Sequence, residues 1–189
     1  MSKYKAAIDA FDEANRQDPN KEMVDGEEYP KELLYAKRMT KKLNEVEPDA
    51  SESVWLAARC QHIERWKIPR DEYPKNRRGY HKWRNAMKKY HARRAGEILK
   101  KVGYDDDLIS RVQSLLLKKK LKNDPEVQLL EDVICLVFLE YYFDDFAEGR
   151  NRDKLERILK RTWKKMSPRG HQEVRKMDWP DWVINLINT

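Results

Sequence analysis

The sequence predicts a single all-α domain, and three observations support this prediction. Apolar residues recur at three- and four-residue spacing along most of the chain, which is typical of amphipathic helices. The 189 residues include only six glycines, and the eight prolines fall mostly between the apolar segments. Alternation of β-branched residues is scarce. A chain of this length can bury one hydrophobic core, so we expect one domain of about seven or eight helices over residues 1–189.

Capping residues and prolines mark the ends of the predicted helices. Gly103 occupies the position expected after a helix end, and Asn123 or Asp124 caps a helix with Pro125 at its first position. Residues 21–29 and 67–75 are predicted to be loops. The predicted helices span residues 3–17, 30–47, 52–66, 77–102, 107–119, 125–147 and 152–166, with a short closing helix after Trp179.

One helix is predicted to be the centre of the domain. The segment 133–143 is apolar on nearly all sides, so we expect the helix near residues 125–147 to be buried. Residues 1–20 form an N-terminal helix in this interpretation, and residues 150–189 form a helical extension packed on the core. No internal repeat or low-complexity tract divides the chain.

The charge and the cysteines restrict the partners and the compartment. A net charge of +7 and a pI near 9.2 favour anionic partners, such as nucleic acid, phosphorylated metabolites or an acidic protein face. A basic protein without such a partner is the alternative. Cys60 and Cys135 lie in apolar helical contexts, which favours buried, reduced thiols over a disulfide. The N-terminus lacks an apolar signal region, and no apolar run could span a bilayer. We expect a cytoplasmic, or cytoplasmic and nuclear, protein without a membrane partner.

The stretch Trp55–Arg84 has the composition of a binding site. Its arginines are interleaved with tyrosines and tryptophans, a pattern that suits an anionic ligand with a planar or apolar part. Glycine-rich phosphate loops and the CxxC, GxSxG and HExxH motifs do not occur in the chain, which argues against nucleotide-loop enzymes, zinc ribbons and serine hydrolases. The candidate ligand-binding residues are Gln61, Arg65, Arg70, Arg77, Tyr80 and Arg84, joined by Lys119 and Lys122 of a basic turn.

Two histidines are candidates for chemistry. In a helix that continues to Trp66, His62 shares one side with Gln61 and Arg65. It could be a metal ligand, a general base or a phosphate donor. A core histidine hydrogen-bonded to the backbone or to a tyrosine remains the alternative. His91 lies among small residues, where close contact between helices is expected.

Acidic residues interrupt the apolar central helix. Asp132 and Glu140 lie eight residues apart and therefore share one side of that helix. An acid in an apolar helix must be paired, protonated or metal-bound. Pairing with Arg38, Arg65 or Arg84 and ligation of a metal ion both remain open.

Four segments resemble an uncharacterised family of fungi and bacteria catalogued as a domain of unknown function. The segments are CQHIERWKIPR, YPKNRRGYHKWR, KKKLKNDPEVQLLED and CLVFLEYYF, and the resemblance covers nearly the whole chain. Some fungal members carry the label glutamyl-tRNA synthetase. This chain has neither a HIGH-like nor a KMSKS-like element, and it is too short for a synthetase.

More distantly, the helix order is similar to that of the HD-domain phosphohydrolases, which hold one or two metal ions. Where that family has HxxRV, LAALLHDI and a helix with two aspartates, this chain has YAKRM, LAARCQHI and EVQLLEDVICL. Tyr35 replaces the first histidine, and Gln61 and His62 replace the His-Asp pair. Ile134 replaces the closing aspartate. Asp132 alone keeps an acidic position, one that is usually not the ligand.

This resemblance implies the helical architecture and leaves two versions of the site open. A rebuilt site of His62, His91 and Asp132 could hold a divalent metal ion. Alternatively, the metal is lost and the pocket is kept for an anionic ligand.

The leading hypothesis is a central pocket that binds a phosphorylated small molecule or a nucleotide. If the protein is an enzyme, phosphate-ester hydrolysis is expected, with His62, His91 and Asp132 as catalytic residues. A third possibility is a scaffold whose arginines form internal ion pairs. The rival hypothesis is a non-enzymatic module that binds RNA or ribonucleoprotein through a basic face of Lys118, Lys119, Lys120, Lys122, Lys160, Arg161, Lys164 and Lys165.

Overall fold

Residues 2–187, the part of the chain that the computed structural model describes, contain ten α-helices, one short β-hairpin and two single-turn 3₁₀ helices (Arg65–Lys67 and Arg70–Glu72). The predicted all-α class is therefore confirmed. Within these residues, no helix is both long and apolar enough to cross a membrane. The helices are α1 (Lys3–Arg16), α2 (Lys31–Val46), α3 (Glu52–Arg59), α4 (Arg77–Val102), α5 (Asp106–Leu116), α6 (Pro125–Tyr141), α7 (Phe143–Ala147), α8 (Arg152–Lys165), α9 (Pro168–Arg175) and α10 (Asp181–Ile187).

The hairpin occupies a stretch that was predicted to be a loop. Strand β1 (Lys21–Val24) pairs antiparallel with β2 (Glu27–Pro30). Asp25 and Gly26 form the turn between them, and both have a positive φ, of 52° and 82°. An Asp-Gly pair favours such a two-residue turn because both positions need the left-handed region. The hairpin leads directly into α2.

The predicted helix over residues 52–66 is wrong in its second half, because α3 ends at Arg59. The chain continues through irregular turns, in which Glu64 has a φ of 49°. The Glu64 N–H donates to Asn15 Oδ1 of α1 at 2.9 Å, and Arg94 Nε of α4 donates to the Glu64 carboxylate at 2.8 Å. These tertiary bonds compensate for the lost helical ones. As a result, Gln61, His62 and Arg65 lie beyond the helix end.

Other helix ends follow their capping residues. Asp124 Oδ1 accepts from two backbone N–H groups at the start of α6, with Pro125 at the first position. The predicted helix 125–147 is interrupted at Tyr142, which separates α6 from α7. Ser167 and Pro168, predicted only to break a helix, begin the additional helix α9.

Helix α6 lies between two apolar clusters. Val133 and Val137, both fully buried, belong to the larger cluster, which is formed mainly by α1–α5 and one side of α6. Leu136 and Leu139 belong to a second cluster with residues of α7–α10. Helices α8 and α9 therefore pack directly on α6, and α10 packs on α8.

Candidate ligand-binding cavity

A cavity of about 520 Å³ lies between α2, the turns after α3, and helices α4, α6 and α8. Its size is within the range of small-molecule sites in proteins, roughly 300–1,000 Å³. The wall combines apolar and aromatic side chains with charged ones. The charged wall residues are the bases Lys31, Arg65, Arg84, Lys88, Lys118 and Lys165 and the acids Glu32 and Glu131.

The cavity brings together six of the candidate residues, from two separate parts of the chain. The ring centroids of His62 and His91 are 5.8 Å apart. The first ring comes from the turns after α3, and the second comes from the middle of α4. The six candidate residues in the wall are Gln61, His62, Arg65, Tyr80, Arg84 and His91.

Asp132 is not one of them, so the predicted triad with His62 and His91 is not assembled. Its Oδ1 accepts from the Ser167 N–H at 2.8 Å and from Gln128 Nε2 at 3.0 Å, next to the start of α9. Among residues 2–187, no group of three or more His, Cys, Asp or Glu side chains is arranged to hold a metal ion. The divalent metal ion therefore stays a prediction without an assembled set of ligands among these residues.

Four further candidates lie outside the cavity wall. The Arg70 guanidinium donates to the carbonyl oxygens of Tyr73 and Pro74, at 2.7 and 2.9 Å, and so stabilises its own loop. Lys119 and Lys122 of the basic turn are exposed, whereas their neighbour Lys118 lines the cavity. Arg77 is exposed at the first position of α4. The sequence pattern could not distinguish the members of these basic runs.

His62 is held between an acid and a base. Arg65 Nη1 lies 2.9 Å from His62 Nε2, and the Glu32 carboxylate lies 3.3 Å from Nδ1. A guanidinium can only donate, so Nε2 accepts and Nδ1 carries the proton that points to Glu32. Burial, and then the charge of Arg65, lower the pKa of His62 well below its usual range. Tyr35 stacks on the ring at 4.0 Å. His62 is therefore a neutral residue with both nitrogens engaged.

Glu32 and Lys88 are site residues that the sequence analysis missed, and Glu32 is the more deeply buried of the two. It lies in the first turn of α2, where an acidic residue usually favours the helix dipole from an exposed position. Here the side chain is only 9% exposed. Burial, opposed by Arg65 and Lys31, raises the pKa of Glu32 from 4.5 to about 7. No feature of the sequence indicates this burial, because it depends on how the turns after α3 close over α2.

Glu32→Gln is expected to gain stability over the wild type as the pH rises. Between the unfolded pKa of 4.5 and the folded pKa of about 7, the Glu32 carboxyl group is protonated in the folded state and ionised in the unfolded state. The free energy of unfolding of the wild type therefore falls as the pH rises through this range. The advantage of the variant should grow by up to about 3 kcal/mol from pH 4.5 to pH 8. Urea unfolding across this range measures it. The exposed Glu28→Gln serves as the control with a flat difference, and a flat difference for Glu32→Gln would contradict the raised pKa.

Positive charge accumulates at the α4–α6 side of the cavity. Lys118 pairs with the buried Glu131, and Lys165 Nζ lies 3.9 Å from the same carboxylate. Arg84 and Lys88 form no ion pair with any carboxylate that the structure describes. Burial, followed by repulsion from Lys118 and Arg84, lowers the pKa of Lys88. This wall thus carries two cationic side chains without an ion pair, and attraction to Glu131 offsets only part of the effects that lower the pKa of Lys88.

Aromatic side chains form the apolar part of the cavity wall. The guanidinium of Arg65 lies over Trp83, 5.0 Å from the centroid of the indole ring. Trp83 Nε1 donates to the carbonyl oxygen of Ile68 at 2.9 Å. Phe138 and Phe146 meet edge to face at 5.7 Å. These rings line the cavity together with Tyr35 and other apolar side chains. A planar group can pack against such a wall.

Among comparisons with known proteins, the match is to a family model built from sequences. A family model described as Domain of unknown function (DUF4202) matches residues 5–187. No curated protein and no solved structure matches the chain.

Proposed function

Because the chain belongs to the DUF4202 family of domains of unknown function, we propose a function from the cavity itself: it binds a phosphorylated small molecule or a nucleotide. The observation that supports this most is the charge of the wall, where six basic side chains face two glutamates. Arg84 and Lys88 have no carboxylate partner among the residues described. Half-buried cations repel one another, and a bound anion removes that cost.

The aromatic part of the wall restricts the ligand further. A bare inorganic anion would leave Trp83, Phe138 and Phe146 in contact with water inside the cavity. A ligand with both a phosphate and an apolar or planar part satisfies both sides. Phosphorylated metabolites and nucleotides have this combination.

Calorimetric titration of the full chain with a nucleoside and its phosphate tests the proposal. AMP, GMP or CMP should bind roughly tenfold or more tightly than the matching nucleoside, because charge-assisted hydrogen bonds to phosphate contribute that much. Inorganic phosphate should compete at higher concentration. Equal affinity for nucleoside and nucleotide, or no binding of any phosphate compound, would overturn the proposal.

A hydrolytic role is the extension that Glu32 favours, through its pKa of about 7. Glu32 would accept a proton from a water molecule whose oxygen attacks phosphorus. The ester P–O bond would break, and the departing oxygen would take a proton from Lys88, whose lowered pKa suits an acid. The likeness to HD-domain phosphohydrolases remains a prediction. Release of inorganic phosphate from AMP or from p-nitrophenyl phosphate tests this role; no release would reject hydrolysis and leave binding.

Binding of RNA by the basic face is the second candidate. Six of the eight residues predicted for this face are exposed and away from the cavity, namely Lys119, Lys120, Lys122, Lys160, Arg161 and Lys164. Lys118 and Lys165 instead lie at the cavity wall. RNA affinity that falls steeply with salt and is unaffected by Arg84→Met would support this candidate over the cavity.

A further inference from the structure

Three buried polar atoms in the cavity wall form no hydrogen bond within residues 2–187. One is Tyr142 Oη, which interacts with the guanidinium of Arg38. The other two, Gln61 Oε1 and His91 Nε2, have no such neighbour. The side chains are 7% and 4% exposed and belong to residues that line the cavity. Leaving a buried polar atom unsatisfied costs about 1–3 kcal/mol. Such atoms in a folded protein usually have a partner, so a ligand is a physical explanation for both.

Both atoms are acceptors. The amide oxygen of Gln61 can only accept. The backbone of Gln61 interacts with the His91 ring and favours its protonated form, as a carbonyl group that faces a ring N–H does. Burial, and then the proximity of His62, keep His91 neutral. A neutral imidazole carries one proton, and that proton faces Gln61, so Nε2 presents a lone pair. The ligand must therefore supply hydrogen-bond donors here.

The cations that would bind the phosphate and the acceptor His91 lie at different heights along α4. Lys88 and His91 are three residues apart, and Arg84 and His91 are seven apart, which corresponds to about 4.5 and 10 Å of helix rise. A ligand that spans the cavity can contact cations at one end and the two acceptors at the other. The aromatic side chains Trp83 and Phe138 lie in the same wall, and nucleobases stack well on such rings.

We propose that the ligand is a nucleotide whose base carries an exocyclic amino group, which donates to Gln61 Oε1 and His91 Nε2 while Arg84 and Lys88 hold the phosphate. This proposal rests on the proposed function and specifies its substrate class. An amino group offers two N–H donors, and an aminated base is planar. A sugar phosphate also has donors in its hydroxyl groups, but it has no planar face for the aromatic wall.

The test compares nucleotides that differ only in the amino group. AMP, GMP and CMP are each titrated against the same nucleotide without its exocyclic amine, and ribose 5-phosphate is included as the sugar alone. At least one aminated member should bind roughly tenfold or more tightly than its counterpart. In Gln61→Met and His91→Phe this difference should disappear, whereas the exposed His81→Phe on the same helix should keep it. Urea unfolding verifies that the variants remain folded.

The outcomes separate this proposal from the proposed function. Equal affinities within all three pairs, or a difference that persists in both cavity variants, would overturn the amino-group proposal and leave phosphate binding intact. Ribose 5-phosphate binding as tightly as the best nucleotide would also overturn it. Failure of every phosphate compound to bind would overturn the proposed function and this inference together.

Discussion

Lys118→Met is expected to lower the free energy of unfolding by about 3 kcal/mol or more. Lys118 pairs with Glu131, and the two side chains are only 12% and 4% exposed. Removing one partner of a buried pair leaves an uncompensated charge, which typically costs about 3–5 kcal/mol. Lys165, 3.9 Å from the same carboxylate, compensates only in part because its side chain is 44% exposed and the contact is long. Urea unfolding at neutral pH measures the loss.

Two further variants make this prediction specific to the pair. Lys118→Met combined with Glu131→Leu should recover most of the loss, since replacing both partners by apolar groups is often neutral or stabilising. Lys119→Met removes the same charge from the exposed neighbouring position and should change stability by less than about 0.5 kcal/mol. A Lys118→Met protein as stable as Lys119→Met would show that the pair contributes little.

The double variant Arg84→Met, Lys88→Met is expected to reduce affinity for AMP, or for the tightest-binding nucleotide, by about 100-fold. Hydrogen bonds to charged groups are worth about 1.5–3 kcal/mol each, and every 1.4 kcal/mol corresponds to tenfold in affinity. Calorimetric titration measures the affinity. Stability should not fall, because Lys88 is held near other cations at a cost that its lowered pKa reflects.

The matched control is Lys82→Met, Lys89→Met. These lysines lie on the same helix, flank the cavity residues in sequence and are exposed. The change in net charge is identical, so the control should retain nearly all of the affinity. An equal loss in the two double variants would mean that overall charge rather than the cavity attracts the nucleotide.

The helical periodicity and the capping residues were sufficient to predict most of the helices. Helix α4 spans the predicted residues 77–102 and ends at Gly103, which has a φ of 93° as its position requires. The error after Arg59 had a different origin. The left-handed conformation of Glu64 depends on Asn15 and Arg94, which lie far away in sequence and were invisible to a local pattern.

In the cavity, too, local sequence patterns identified some residues, and others depend on tertiary packing. Several candidates of the stretch Trp55–Arg84 line the cavity, but Arg70 and Arg77 do not, and the helical face assumed for His62 does not exist. Asp132 was selected because an acid in an apolar helix needs a partner, and in the structure it accepts a hydrogen bond from the Ser167 N–H at the start of α9. Glu32 was overlooked because its burial results from tertiary packing alone.

The position of α6 links ligand binding in the cavity to the mobility of the C-terminal helices. The helix contributes Ile134, Cys135 and Phe138 to the cavity wall, and its other sides join both apolar clusters. A ligand that immobilises α6 also restrains the helices of residues 152–187, which share the second apolar cluster with it. Slower amide hydrogen exchange in α9 and α10, which do not line the cavity, would then report that the cavity is filled.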